Sequence, residues 1–587
     1  MLLTVLPFGA VATETPATTE NIVPISQYST TTTYPDGTVF TISSPEELQT
    51  FNTTKNPFNV FVKHTVRLIQ DIDYSGYTWN GIIFNGHFDG DGYTISNLTV
   101  SNCTNGAGMF RYAGGTIENL TLRNIKVEFE ITQVGAVVGS RNNSNVNGVG
   151  LTINNVHVIN GTVSGTECVG GILGSTNTGS ASAPAVSITN CSFNGTVSAK
   201  NDTLTAATAQ NVGGIVGYGV NASQLSISNC RVVADVTGNS SYGQDVGGIV
   251  GQTKVKTTVS GCYVGGTIST GSTGSGGIIG LSKASEATIQ SCYVNATLTG
   301  WGGRRGGIIG NIVCDESTTT IKDCFVGGLI TTWAENNYNT TGAIVGCIGA
   351  NTDGKTNVVN CSNILVAVSD NSKFSSVLGF YQGTTGSSSG KLENVYYVNS
   401  LGETALSAGS TDSNSVAHAF TPSTDSTYGA KTADEIKAYT GEGWTSVKDN
   451  YPLPTGLANG TTYLAGYQTG NSTDTTVDYR FVGVMNLPDD KEITDYSDVG
   501  FYVTLTENTE NTVLQSYVKV SCNTVYQTVS GGGIEYKVSE YGGDYLFALV
   551  LEGVPTGSKF TVELIPYTVD CNGITSIGIS GSLTVSQ

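Results

Sequence analysis

Along the middle of the chain, apolar and polar positions alternate in short bursts that return with a period near 33 residues. Two phrases recur. The first is an Ile/Val-x-Asn-Cys type strand, read as Ile188-Thr189-Asn190-Cys191, Ile227-Ser228-Asn229-Cys230, Val259-Ser260-Gly261-Cys262, Ile289-Gln290-Ser291-Cys292, Ile321-Lys322-Asp323-Cys324 and Val358-Val359-Asn360-Cys361. Leu98, Leu120, Val156 and Val395 fill the cysteine column in the outer copies. The second phrase stands as Gly170-Gly171-Ile172-Leu173-Gly174, Gly213-Gly214-Ile215-Val216-Gly217, Gly247-Gly248-Ile249-Val250-Gly251, Gly276-Gly277-Ile278-Ile279-Gly280 and Gly306-Gly307-Ile308-Ile309-Gly310. A repeat of this length without a helical pattern inside it indicates a solenoid of strands.

Each coil can be read from its alternation. In Cys262-x-Val264-x-Gly266-x-Ile268 and Cys292-x-Val294-x-Ala296-x-Leu298 every second residue is apolar or small, which places those side chains on one strand face. The preceding Ile289 and Ile321 are out of phase with the cysteine by one residue, so a corner must fall between them. That corner column holds Asn97, Asn119, Asn155, Asn190, Asn229, Gly261, Ser291, Asp323, Asn360 and Asn394, residue types suited to left-handed backbone and local hydrogen bonds. Stacked coils would also let the Asn side chains bond along the axis, at roughly 4.8 Å per coil. The expectation is an all-β chain: a parallel β-helix solenoid of about ten coils, spanning 37–456.

The flanks read differently. Residues 1–12 resemble the apolar core of a signal peptide ending in an Ala-x-Ala site at Ala10 to Ala12, without the usual basic start. Residues 13–36 form a Thr/Pro-rich leader, either a linker or an extended strand used against a neighbour. Ser44-Pro45-Glu46-Glu47-Leu48 supplies an N-cap, a proline at the first helical position and a capping-box Glu, so a short N-terminal capping helix is expected over the open end of the solenoid. Thr432-Ala433-Asp434-Glu435-Ile436-Lys437 is expected to do the same at the far end. In 457–587 the repeat phrases stop, and alternating runs such as Tyr479 to Val484, Phe501 to Leu505, Tyr545 to Val550 and Lys559 to Leu564 suggest an immunoglobulin-like β-sandwich.

Composition narrows the function classes. Charged residues make up 12% of the chain, about half the usual share, while 38% are apolar and in register, which favours a packed core over disorder. A net charge of −20 opposes nucleic acid and anionic membranes as partners. His64, His87, His157 and His418 are scattered and form no metal motif, and no later segment approaches the ~20 apolar residues of a membrane helix. No cofactor or metal is expected. Leu453-Pro454-Thr455-Gly456 lacks the spacing and the hydrophobic tail of a wall-sorting signal. Sequons such as Asn97-Leu98-Thr99 and Asn295-Ala296-Thr297 are acceptors only where a glycosylating host exists.

Twelve cysteines in a secreted chain would ordinarily imply disulfides. Six share the inward column at spacings of 39, 32, 30, 32 and 37 residues, and stacked rungs hold Cβ atoms too far apart for a bridge. They are expected as free, buried thiols. Cys103, Cys168, Cys314, Cys347, Cys522 and Cys571 lie off the column, and a bridge between Cys522 and Cys571 stays open.

The Gly-Gly-Ile phrases, with Leu68-Ile69-Gln70-Asp71-Ile72-Asp73 and Phe88-Asp89-Gly90-Asp91-Gly92-Tyr93-Thr94-Ile95-Ser96-Asn97-Leu98, resemble the GLUG-repeat family of secreted bacterial surface proteins. That resemblance implies an extracellular or cell-surface location. Some family members carry a peptidase part, but no His-Glu-x-x-His stands in this sequence, so that activity is not implied here.

Two functions remain. One is a structural or adhesive surface protein, in its sharper form the subunit of an extracellular fibre, with glycans, proteins of another cell or matrix, or copies of itself as partners. The other is a polysaccharide lyase or glycoside hydrolase working in a groove of the β-helix. Such chemistry needs paired carboxylates or an acidic metal site. The repeats offer few acids, since Asp323 sits in the corner column and Asp89 with Asp91 reads as a turn, so no catalytic residues are assigned. The candidate ligand site is an aromatic strip. Tyr263, Tyr293 and Phe325 follow the column cysteine on three consecutive coils and are expected to point outward; Trp301 and Trp333 stand nine residues after Cys292 and Cys324, and Arg304 with Arg305 lies beside Trp301. An ordinary cross-strand ladder that only stabilises the sheet is the alternative.

Overall fold

The computed structural model describes most of the chain from residue 20 to residue 586. Segments 1–19, 55–59, 142–149, 178–182, 201–209, 240–243, 332–340, 350–354, 369–373, 382–388, 399–420, 446–452 and 455–461, with some shorter stretches, lie outside the description.

The chain is an all-β parallel solenoid of about eight turns, counted on an eight-stranded sheet built from the Gly-Gly phrases. Each turn contributes further rungs to a much larger parallel sheet, where Thr121 pairs with His157, His157 with Ser192, Ser192 with Arg231, Arg231 with Tyr263, Tyr263 with Tyr293, Tyr293 with Phe325 and Phe325 with Ser362. That register stacks Cys191, Cys230, Cys262, Cys292, Cys324 and Cys361 in one buried column, each 0–1% exposed.

The corners form where the residue types predicted them. Asn119, Asn155, Asn190, Asn229, Gly261, Ser291, Asp323 and Asn394 all have φ between 51° and 60°. Asn360 lies outside the described residues. Asn side chains bond along the axis, as in Asn155 Nδ2 to Asn119 Oδ1 at 3.1 Å and Asn119 Nδ2 to Asp89 Oδ1 at 3.2 Å.

The first copy breaks the pattern. Ile95 pairs with Leu122 and Ser96 with Arg123, so Asn97 stacks on Asn124, not on Asn119, and Leu98 falls outside the cysteine column. The reason is an earlier corner at Gly90, whose backbone bonds to Glu118, with Asp89 Oδ1 accepting from Asp91 N at 2.9 Å in the expected turn.

The Gly-Gly phrase answers a close approach. A Cβ on Gly213 would lie 2.0 Å from Val216 O, and one on Gly214 would lie 2.1 Å from Gly248 O, so neither position admits a side chain. The Ile after the pair is buried in every described copy.

At the N-terminal edge, Ile22–Pro24 pairs in parallel with Val39–Ile42, so this part of the leader is a rung of its own solenoid. Helix Pro45–Thr53 follows, with Ser44 Oγ accepting from Glu47 N at 3.2 Å and Glu47 Oε2 accepting from Ser43 N at 2.8 Å. Its Leu48 and Phe51 are buried, and Phe51 packs against Phe61, Phe84 and Phe88. The second helix, Ala433–Lys437, closes a capping box between Thr432 and Glu435. Its buried Ile436 clusters with Phe325 and Trp444. It therefore rests on the solenoid's flank, which corrects the expectation that it covers the far end.

From Trp444 onward pairing is antiparallel, first between Trp444–Thr445 and Leu453–Pro454. Strands Thr462–Ser472, Thr476–Met485 and Tyr545–Pro555 form one sheet; Tyr496–Glu507, Thr512–Ser521, Lys559–Asp570, Thr575–Ile577 and Gly581–Ser586 form another. Tyr479, Phe481 and Met485 from the first share a buried core with Phe501, Phe560 and Leu564 from the second.

The eleven described cysteines are free. Column thiols donate to the carbonyl two residues back, as in Cys292 Sγ to Gln290 O and Cys324 Sγ to Lys322 O, both 3.2 Å. Burial pushes the Cys230, Cys292 and Cys324 thiols up, so they are poor nucleophiles. Cys522 and Cys571 are not bridged; Cys571 Sγ instead donates to Thr494 O at 3.1 Å. Cys314 lies outside the described residues.

Candidate functional site

The residue after each column cysteine does face away from the lumen, because the cysteine itself occupies the inward position of an alternating strand. The resulting aromatic strip is not open, however. Phe325 is 0% and Tyr263 5% exposed, and Tyr293 is half-buried. Their rings meet edge to face, Tyr263 to Tyr293 at 5.6 Å and 73°, and Tyr293 to Phe325 at 5.0 Å and 81°. A flat sugar-binding platform needs open ring faces, and these are turned into one another. That corrects the expected strip.

The cover is the chain's own C-terminal portion. Tyr263 lies in one apolar cluster with Tyr463, Val482, Val484, Tyr536 and Leu546, while Phe325 packs with Ile436 and Trp444. Further along the same solenoid flank, Ile159 packs with Tyr502, Ile565 and Tyr567, and the Arg123 guanidinium stands 5.7 Å from the Tyr502 ring. Burial pushes the Tyr263 phenol up to about 12. The seam even buries polar members of the row: His157 Nδ1 meets Ser192 Oγ at 2.9 Å, and Arg231 Nη1 donates to Gly261 O at 2.8 Å. Nothing in the repeat announced this cover, because it depends on where a distant segment folds back.

The remaining predicted residues separate. Trp301 and Trp333 lie outside the described residues. Arg304 has φ 67° and is half-exposed, whereas Arg305 turns inward and is fully buried, so the pair does not form one basic edge. Arg304 sits at a left-handed bend just before the strand Arg305–Gly306, so the two side chains part there.

A second cluster escaped the sequence reading. Asn211 pairs with Asp245, and Asp245 with Gly274, on the Gly-Gly sheet. The neighbouring sheet carries Tyr218, Gln252, Leu281, Asn311 and Cys347 in one register row. Gln252 Nε2 donates to Asp245 Oδ2 at 2.8 Å. Burial raises the Asp245 carboxyl to about 7, opposed by the positive charges of Lys283 and Arg304. Asn211 Oδ1 and Asn311 Oδ1 are buried without a hydrogen-bond partner. The available signal was an acid directly before Val-Gly-Gly, where the neighbouring copies hold Cys168, Asn211 and Gly274. The cluster can hold and exchange one proton near neutrality; it contains one carboxyl, not the pair that glycoside hydrolysis requires. Among the described residues no group of three His, Cys, Asp or Glu side chains is placed to hold a metal ion.

No protein-family model matches the chain. Over 99 residues, 16% of this chain, it is 37% identical to halomucin of Haloquadratum walsbyi, and that stretch spans 1% of halomucin. A solved structure from Bacteroides ovatus, provisionally named an immunoglobulin A1 protease, aligns with 71% of this chain and 93% of its own at 18% identity and a TM-score of 0.30. At that level of superposition it bears on neither the fold nor the activity of this chain. Among the described residues no helix is long and apolar enough to cross a membrane.

Proposed function

We propose that this chain is a secreted cell-surface structural or adhesive protein and not an enzyme. The observation that carries the reading is the sealed flank. The solenoid spends its most apolar outward row, Tyr263 to Phe325, on binding its own C-terminal portion, an arrangement that builds an elongated scaffold and leaves no open aromatic groove along that row. The likeness to halomucin supports the extracellular reading.

In this proposal the Gly-Gly-Ile phrases are GLUG-type repeats and the outer copies extend the solenoid to about ten coils within 37–456. Helix Pro45–Thr53 serves as the N-terminal cap, residues 1–12 are a signal remnant, and 457–587 is an immunoglobulin-like β-sandwich. Partners are glycans, proteins of another cell or matrix, or copies of itself, met through Trp301, Trp333 and the exposed part of Arg304. Protease treatment of intact cells of the source, followed by antibody detection, tests the location. Digestion of the protein on unbroken cells is expected, and full protection until lysis would overturn the reading. Electron microscopy of the native protein tests the fibre version, which strictly monomeric particles would remove.

Asp245 favours one second reading, a polysaccharide lyase, because a carboxyl near pH 7 under the positive charges of Lys283 and Arg304 suits proton transfer. Turnover of a pectin, alginate or mucin panel that is lost in Asp245→Asn would establish it; no turnover in the wild-type chain would remove it.

A further inference from the structure

The inward row of the Gly-Gly sheet is apolar for four rungs, Val134, Val169, Val212 and Val246, and then changes character to Ser275, Arg305 and Thr341 before Phe374. All of these side chains are buried, and Arg305 is 0% exposed. A guanidinium thus stands inside a solenoid whose buried interior is mostly apolar. One of its groups, Nη2, donates to Gly300 O. Nε and Nη1, three N–H groups between them, have no hydrogen-bond partner, and neither do Ser275 Oγ and Thr341 Oγ1 on the adjacent rungs.

This arrangement is expensive in free energy unless something answers the charge. A buried ion without a partner is disfavoured by several kcal/mol even after relaxation. Burial lowers the Arg305 guanidinium to about 10, with no carboxylate among the described residues acting on it, so it remains cationic at neutral pH. The hydroxyls cannot neutralise it; they can only donate or accept. Three unanswered N–H donors, with a hydroxyl on the rung to either side, match a small acceptor that carries negative charge and needs no particular geometry.

We propose that the lumen beside Arg305 binds a halide-sized monovalent anion, held by Arg305 Nε and Nη1 with the hydroxyl of Ser275 or of Thr341 on an adjacent rung. The ion is a structural counter-charge, enclosed when the coils stack, and it is independent of whatever the outer surface binds. Because it is enclosed, it exchanges on unfolding and refolding, not on dilution.

The test uses the full chain unfolded and refolded in sodium chloride, sodium bromide or sodium gluconate at equal ionic strength. A crystal of the bromide-refolded protein is expected to show an anomalous peak within hydrogen-bond reach of Arg305 Nε or Nη1. The melting temperature is expected to fall by several degrees in gluconate, whose anion is too large for the lumen. In a Ser275→Ala/Thr341→Val double variant, chosen because it keeps the volume and the arginine, the gap between chloride and gluconate is expected to shrink. Arg305→Met is expected to abolish the gap and the bromide peak. No bromide at Arg305 in the wild-type crystal, or identical melting in all three salts, would overturn the proposal.

Discussion

Phe325, on the outward row of the solenoid, meets Trp444 edge to face with ring centroids 5.9 Å apart. The contact joins a coil to a segment more than a hundred residues later. With the cluster around Tyr263 it converts an aromatic ladder into an internal seam. Edge-to-face pairs of this kind add roughly 0.5–1.5 kcal/mol beyond area burial.

Phe325→Ala is expected to loosen the segment around Ile436 and Trp444 at a local cost of about 3–5 kcal/mol. Limited proteolysis should then cut between residues 430 and 460 several times faster, with the coils still intact by far-ultraviolet circular dichroism. An unchanged cleavage rate would mean the seam contributes nothing to docking.

Asn155 occupies a corner at φ 52° and donates to Asn119. Asn155→Ala removes its hydrogen bonds to Asn119 and His157 and imposes left-handed strain of about 1–2 kcal/mol, whereas Asn155→Gly loses only the bonds. Urea titrations should rank wild type above the glycine variant and the glycine variant above the alanine variant; equal stabilities for Ala and Gly would refute the conformational argument.

Asp245 sets a pH dependence. Its folded value of about 7 lies above the ordinary carboxyl value of 3.8, so the folded chain holds a proton that the unfolded chain releases. The stability linked to that proton is complete below about pH 4 and is lost as pH rises through about 7. Asp245→Asn keeps an acceptor for Gln252 and should melt above wild type at pH 8 by the equivalent of about 1–3 kcal/mol, and close to it at pH 4. Parallel curves across that range would show that Asp245 is not buried as described.

The thiols should sort by exposure. Cys571, exposed, reacts first with a thiol reagent under native conditions, while Cys191, Cys230, Cys262, Cys292, Cys324 and Cys361 react only after denaturation. A non-reducing peptide map that recovers a Cys262–Cys292 or Cys522–Cys571 bridge would contradict the free-thiol assignment.

Replacing Trp301 and Trp333 together by Ala is expected to reduce glycan or cell binding at least tenfold with melting unchanged. Loss of melting temperature with binding intact would leave them a stabilising role alone.

Periodicity by itself determined the solenoid, its corner column and the free cysteine stack. These are properties of a repeat in which each coil sees only its neighbours, so local spacing and residue type specify the geometry. The helix at Pro45 was legible for the same reason, since Ser44 and Glu47 act within one turn. The offset of Leu98 was not legible, because the corner at Gly90 fell outside the Asn pattern. Tertiary structure alone decided the rest. Which outward residues see solvent depends on Tyr463, Val482 and Trp444 folding back across more than a hundred residues, and no periodic signal encodes such a contact. Likewise Arg304 and Arg305 look identical in sequence, and only the left-handed bend at Arg304 before the strand at Arg305 leaves one half-exposed and the other buried.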